Sequence, residues 1–537
     1  FLLLSVVLII VTLTAHSFVL SKIPLHVDEA YTHLTTLGYE RYGEIGTTFS
    51  GVEYRRSQVT SAFISYINDF FLDTKTSLRA FTLILSGFIS VMLFYLFSII
   101  LRNNLLAFII TLTVSTNWYF ILITSISRGY ALSIFLLILF VIVLKHFLDS
   151  AELHKKALLM SLAILVLVIN YFEGVALGTY HAIAFLGVFA PFVFFKLPRR
   201  EKIIVLLMAV TSLLLLITYI SIIDSSHLQM IKNYLKPYLR LEYIQVIGSL
   251  TYYFHEFGLV LVISSIIACI SILKKNYFYL CFAIWIIVVI FFQGYLYGYK
   301  TFDFRYFYTI IIPVISISTI FLFKVIQRRD FTSKLVAGFL ILGTFSTSLF
   351  NYTQLYQGNL SWTLDKSLPW DRFLSHVPYG SVILTDYPIV VFTIRPDLKI
   401  YKISYHPRDA EIINFNLSME YKLHSYSQKE ILRIFSFIEE EKAEKKYITK
   451  AQQDYDIYTA SPLVMDKQHL MEIIHESNNS VYSLFTYDVD KHKDLYPEIY
   501  SVLISEEIVQ GGQVTQKNIF DNRDHDKIIP LTLIKYN

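Results

Sequence analysis

Charge is scarce in this chain of 537 residues: Asp, Glu, Lys and Arg make up 16% of it, where a soluble domain carries roughly 25%. With 55% hydrophobic residues and a mean hydropathy of +0.52, a soluble globule is excluded and a membrane protein is expected. Cysteine is almost missing. Cys269 and Cys281 both lie in apolar runs, so no disulfide framework holds an external domain together. There is no Walker or Rossmann glycine pattern and no Gly-x-Ser-x-Gly elbow. The histidines fall in no metal-ligand spacing, and nucleic-acid binding has no support.

What the chain does have is long apolar runs, each about the 20 residues needed to cross a bilayer. They cover 1–20, 80–101, 105–126, 130–148, 157–171, 174–195, 203–223, 257–273, 277–296, 306–323 and 335–351, eleven expected spans. The chain begins at Phe1 rather than Met, which leaves room for a native start upstream. No small-residue cleavage site follows the first run, so it reads as a span and not as a signal peptide.

Basic residues set the direction. With the N-terminus inside, the inner loops hold Arg102; Lys145, Lys155 and Lys156; Lys196, Arg199, Arg200 and Lys202; Lys274 and Lys275; and Lys324, Arg328, Arg329 and Lys334. The outer loops 21–79, 224–256 and 297–305 are long or polar, and 352–537 is expected outside. Loop 21–79 is too long for a plain connector. It carries a helix-like stretch at 29–42, glycine turns, and an amphipathic run around 58–72 of the kind that lies in a membrane interface.

Beyond 352 the pattern changes to that of a small α/β domain. Val382–Thr385 and the β-branched run 389–394 are expected strands, as is 480–487. Residues 428–446 are an expected helix, and Gly511-Gly512 marks a hairpin between 501–509 and 513–519. The domains expected are therefore 1–351 and 352–537.

The residues able to do chemistry gather at the outer face. Asp28-Glu29 follows the first span. Asp28 reads as the N-cap of the helix at 29–42, or as a general base at the membrane surface; the two roles can coexist. Outward cations are Arg55, Arg56, Arg79, Arg128, Lys232, Lys236, Arg240, Lys300 and Arg305. Some neutralise lipid headgroups. Arg128 and Arg305 stand at span ends beside aromatics, where a guanidinium suits a phosphate oxygen. Glu173 stands at the outer end of the fifth span, as a functional acid or as a partner for a nearby arginine. His16, inside the first span, reads as a satisfied core histidine.

These features resemble a known family in order and topology. The first span, then a short stretch to Asp28-Glu29-Ala30-Tyr31, resembles the Asp-Glu-Ala-x-Tyr entry to the first loop of the GT-C membrane glycosyltransferases. The nearest branch holds the protein O-mannosyltransferases and the lipid A aminoarabinose transferase. Ser77-Leu78-Arg79 resembles the arginine that ends the family's first loop. Ser127-Arg128-Gly129-Tyr130-Ala131-Leu132 resembles its arginine-tyrosine turn, and Asn170-Tyr171-Phe172-Glu173-Gly174 loosely resembles a His-Tyr-x-Gly turn. Arg305-Tyr306-Phe307-Tyr308 with Pro313 resembles its Arg-Tyr-Phe…Pro entry to a late span. The likeness covers roughly 1–325. Many relatives carry His-Pro-Pro or Lys-Pro-Pro where this chain has Tyr54-Arg55-Arg56-Ser57-Gln58, which leaves donor and acceptor identity open.

The resemblance implies a GT-C-like helical membrane module. It implies a sugar donor carried on a polyprenyl phosphate and a lipid, glycan or protein acceptor, with inverting transfer at the outer face of an inner membrane. Asp28 and Glu29 would be catalytic. Arg79, Arg128, Arg305, Arg55 and Arg56 would face the donor phosphate, and Tyr31, Tyr130, Glu173 and Tyr306 the substrates. The family allows a divalent cation, though no second acidic cluster requires one. The competing expectations are a lipid transporter, which would place charges at mid-membrane in two related halves, and an inactive envelope scaffold.

Overall fold

The computed structural model describes residues 1–20, 25–173, 370–403, 459–485, 502–503, 514–520 and 528–536, apart from a few positions within them, together with isolated residues elsewhere. The chain forms two compact units, one of residues 1–21 and 82–357, the other of 22–81 and 358–537.

The first unit is helical. It contains α1 (Leu2–Leu20), most of α4 (Thr74–Leu101), α5 (Asn104–Ser115), α6 (Trp118–Ser125), α7 (Tyr130–Asp149) and α8 (Leu153–Glu173). Among the described residues, α4 and the stretch Tyr130–Phe147 are long and apolar enough to cross a membrane, and Leu2–Ser17 and Asn104–Ser115 are shorter apolar helices. The run 105–126, expected as one span, is two helices. The chain breaks at Thr116 and Asn117, where the Asn117 side chain accepts from the Phe120 amide and restarts the helix. The expected spans from 174 onward lie outside the described residues, isolated positions apart.

Small hydroxyls hold these apolar helices together, as is common where close approach and hydrogen bonding drive association. Thr12 donates to Ser90, Ser90 shares a hydrogen bond with Ser115, and both nitrogens of His16 are engaged, by the Thr12 carbonyl and by Thr124.

The second unit joins residues 22–81 to the C-terminal residues. The first of these stretches supplies α2 (Val27–Tyr42) and α3 (Gln58–Asn68), and the start of α4 belongs with them. The C-terminal part supplies α9 (Trp370–Leu374), β1 (Val382–Thr385), α10 (Pro388–Ile394), β2 (Lys399–Lys402), α11 (Lys467–Glu476), β3 (Val481–Phe485), β4 (Val514–Phe520) and β5 (Ile528–Tyr536). The sheet runs β2-β1-β3-β5-β4. β1 is parallel to β2 and β3, and β5 is antiparallel to β3 and β4.

Two expectations for this part are corrected. Residues 389–394 are helical, not a strand. Pro388 occupies the first turn, where its missing N–H costs nothing, and the apolar run is buried on several sides, which periodicity alone cannot tell from a strand. The strand after Gly511-Gly512 pairs with β5, and Val502 and Leu503, the described residues of 501–509, are helical and not a strand. The helix expected at 428–446 lies outside the described residues.

A single apolar core binds residues 22–81 to the C-terminal part. Leu25, Val27, Ala30 and Leu34 of the α2 region pack with Ile64, Leu78, Trp370, Phe373, Ile389, Val390 and Val391. Each fully buried Val or Leu contributes about 1.5–3 kcal/mol, so this contact holds α2 firmly. Phe49 meets Phe392, and Lys75 pairs with Asp371 at 3.6 Å.

Candidate active site

The site in the second unit is built on the first turn of α2. His26 is the N-cap, with an extended backbone, so the helix begins two residues before the expected start and Asp28 sits inside it. This corrects the reading of Asp28 as the cap. The Asp28 amide donates to His26 Nδ1 at 3.0 Å. A nitrogen that accepts carries no proton, so the imidazole proton is on Nε2. The 3.7 Å approach of Nδ1 to Asp28 Oδ2 is therefore not an ion pair.

Glu29 closes the cap from the other side. Its Oε2 accepts from the His26 amide at 2.9 Å. Both carboxylate oxygens also take Arg79: Nε to Oε1 at 2.8 Å and Nη2 to Oε2 at 2.6 Å. This is the two-point fork that only a guanidinium offers a carboxylate. Glu29 is fully buried and Arg79 is 4% exposed. Glu29 thus serves three donors, and its lone pairs are committed to structure.

Asp28, by contrast, keeps 17% of its side chain exposed. Its backbone carbonyl accepts from the Thr32 hydroxyl, and both acids sit at the helix N-terminus, where the helix dipole favours negative charge. The neighbouring residues produce two carboxylates with different environments, one buried and paired and one reaching solvent.

Tyr31 stacks on Tyr54 with ring centroids 5.1 Å apart. It stands one position before the tyrosine of the Asp-Glu-Ala-x-Tyr pattern, whose place in this chain is taken by the buried Thr32. Arg56 is exposed, and Arg55 lies outside the described residues. Lys75, one helical turn before Arg79 in α4, was not singled out by sequence. Its partner Asp371 is far away in the chain, so the only local signal was the four-residue spacing to Arg79. His26 was also missed, because histidine is not among the usual capping residues.

A second polar cluster lies in the first unit, around the turn from α6 to α7. Arg128 is buried there, as are Tyr130, Ser133, Asn170 and Glu173. Ser133 donates to the Asn170 side chain. Gly129 is the N-cap of α7, and a Cβ on it would collide with the Glu173 carboxylate. Only glycine lets Glu173, at the end of α8, come this close to the backbone beside Arg128. The structure thus brings Arg128, Tyr130 and Glu173 together in one unit, and Asp28, Glu29, Arg79 and Tyr31 in the other. Arg305 and Tyr306 lie outside the described residues. Among the described residues, no group of three or more His, Cys, Asp and Glu is arranged to hold a metal ion.

The fold that carries these two clusters is shared with solved structures of one membrane protein over almost the whole chain. The chain is similar over 99% of its length to ArnT from Cupriavidus metallidurans bound to undecaprenyl phosphate, with a TM-score of 0.52 and 8% identity, covering 97% of that chain. It is similar also to the apo state of the same protein, with a TM-score of 0.50 and 10% identity, again over 99% and 97% of the two chains. No protein-family model matches the chain, and no curated protein does.

Proposed function

We propose that this chain is an integral membrane glycosyltransferase that moves a sugar from a polyprenyl-phosphate donor to an acceptor at the outer face of the membrane. The observation that carries the proposal is the first turn of α2. There, a solvent-reaching carboxylate stands directly beside a buried Glu29–Arg79 pair. The full-length likeness to a protein crystallised with undecaprenyl phosphate supports the donor class.

The roles divide by environment. Asp28 takes the proton of the acceptor hydroxyl as that oxygen attacks the anomeric carbon. The bond to the donor phosphate breaks, and the phosphate leaves with the electron pair, inverting the centre. Negative charge grows on the leaving phosphate, so fixed cations lower the barrier. Arg79, Arg128, Arg305, Arg55 and Arg56 are the candidates for that task. Tyr31, Tyr130, Glu173 and Tyr306 are candidates for sugar and acceptor contacts. Glu29 acts through Arg79 as a positioning residue. The acceptor is a lipid, a glycan or a protein. The chain spans the inner membrane eleven times, with its N-terminus cytoplasmic and residues 352–537 outside. The resemblance leaves room for a divalent cation, and none of these steps requires one.

The test is transfer in membranes or nanodiscs supplied with polyprenyl phosphates carrying a hexose or an aminopentose. The wild-type chain transfers at least one sugar. Asp28→Asn lowers kcat by about 10²–10⁴ while binding of the lipid donor persists. Full activity in Asp28→Asn removes Asp28 as the base, and absence of transfer from every polyprenyl donor removes the proposal.

A further inference from the structure

The cap of α2 is built on a group that can titrate. The Asp28 amide donates to His26 Nδ1 at 3.0 Å, and the ring that accepts this bond is 1% exposed. The other half of the cap runs from the His26 amide to Glu29 Oε2 at 2.9 Å. Ser, Thr and Asn, the usual capping residues, offer an oxygen that accepts at any pH. An imidazole nitrogen accepts only while it carries no proton. Histidine is also the side chain whose ordinary titration falls between pH 5 and pH 8.

The same nitrogen faces the Asp28 carboxylate, with 3.7 Å between Nδ1 and Oδ2. Two arrangements follow from one ring. Unprotonated, Nδ1 accepts from the Asp28 amide, fixes the backbone that carries the carboxylate, and sets no charge against it. Protonated, Nδ1–H points at the amide N–H, so the capping bond is lost. The carboxylate oxygen then accepts this proton after a shift of about 1 Å, which reaches the length of a charge-assisted bond. A carboxylate paired with a cation holds a proton less readily, and so it is a weaker base.

The surrounding charges are already matched to one another. Glu29, also in the first turn of α2, is gripped by Arg79 of α4. Lys75 of α4 pairs with Asp371 of α9. α10, packed in the same core, brings no titratable side chain, and Arg395 just beyond it pairs with Asp397. In α3, Tyr66 meets Tyr39 near the far end of α2. His33 is buried one turn beyond Glu29.

We infer that His26 is the positioning residue of Asp28 and a proton switch on it: unprotonated, its Nδ1 holds the Asp28 backbone in place; protonated, it pairs with the carboxylate and stops transfer. The inference rests on the proposed role of Asp28 as the base and adds what sets its working state. One proton from the medium makes the change, and its release reverses it.

The experiment compares wild type, His26→Asn, His26→Ala and Asp28→Asn in nanodiscs. Asparagine keeps an acceptor for the start of the helix and does not titrate, whereas alanine removes the acceptor. The rate constant kcat is measured from pH 5 to pH 9 with a polyprenyl-phosphate donor that wild type uses, and each profile is scaled to its own maximum. His33 is present in every variant, so its acid sensitivity is common to all. Wild-type kcat is expected to fall about ten-fold for each pH unit below the midpoint of His26. The scaled activity of His26→Asn is expected to persist to lower pH, and His26→Asn is expected to recover part of the kcat that His26→Ala loses at pH 8. Coincident scaled profiles of wild type and His26→Asn, with Asp28→Asn inactive, overturn the inference alone. Full transfer by Asp28→Asn removes the base, and the inference falls with it. Carbon-13 NMR of ring-labelled histidine reads the contact without turnover. The signal missing from both His26 variants belongs to His26, and its midpoint is expected about one pH unit lower in Asp28→Asn than in wild type, because the cation loses its partner. An unchanged midpoint overturns the inference.

Discussion

Arg79 grips Glu29 at two points, 2.8 Å and 2.6 Å, with both side chains out of water. The pair joins the first turn of α2 to the start of α4, across a separation of 50 residues in the chain. Removing one partner leaves a buried charge without compensation, which costs about 3–5 kcal/mol. Glu29→Gln and Arg79→Ala are each expected to lower the melting midpoint in detergent sharply. The double variant Glu29→Gln/Arg79→Ala is expected to lose much less than the two losses added, because one event removes the shared interaction. Additive losses would mean the pair is not energetically linked. Arg79→Lys keeps the charge and loses the fork, so it is expected to fall between wild type and Arg79→Ala.

The division between the two acids follows from the same geometry. Glu29 is committed to three donors, and Asp28 is not buried. Asp28→Asn is expected to leave the melting midpoint close to wild type while transfer collapses. Glu29→Gln is expected to change both. A melting loss in Asp28→Asn as large as that of Glu29→Gln would erase the distinction.

How far the sequence carried this site depends on where each partner lies. The adjacency of Asp28 and Glu29 to a helix start was legible, because an acidic pair before a helical stretch is a local pattern. That the cap would be His26 was not, since its role depends on the ring orientation that lets Nδ1 face the Asp28 amide. Arg79 was legible as a loop-ending cation, but its partner was not. A pairing across 50 residues leaves no trace in local spacing. The same limit explains Asp371, which reaches Lys75 from the far end of the chain. The likeness to the ArnT fold was legible because short motifs stood in a fixed order among apolar runs. Residues 389–394 misled because a short buried run of β-branched residues suits a strand and a covered helix alike.

His33 sets a pH dependence of stability. It lies buried in α2, and burial lowers its pKa from 6.5 to about 4. In the unfolded chain it takes a proton near pH 6.5, while in the folded chain it stays neutral until about pH 4. The unfolded state therefore binds more protons in that window, and stability falls as pH falls through it. The contribution is complete above pH 6.5, and its loss by pH 4 is about 3 kcal/mol at most. The melting midpoint is expected to drop between pH 7 and pH 4.5. His33→Asn is expected to flatten part of that drop, since asparagine does not titrate. An identical slope in the variant would show that the acid sensitivity comes from other groups.

Gly129 makes a sharper case because the expected damage comes with its own cure. No side chain fits there while the Glu173 carboxylate rests against the turn beside Arg128. Gly129→Ala forces the carboxylate away or shifts the turn, and overpacking of this kind costs about 1–3 kcal/mol. Arg128 is part of the displaced turn, so donor-lipid affinity is expected to fall with stability. Glu173→Asp shortens the acid by one methylene and withdraws its oxygens from the new methyl group. The double variant Gly129→Ala/Glu173→Asp is therefore expected to melt above Gly129→Ala alone. Two losses that simply add would place the cost of Gly129→Ala in the backbone of the turn and not in the contact with Glu173.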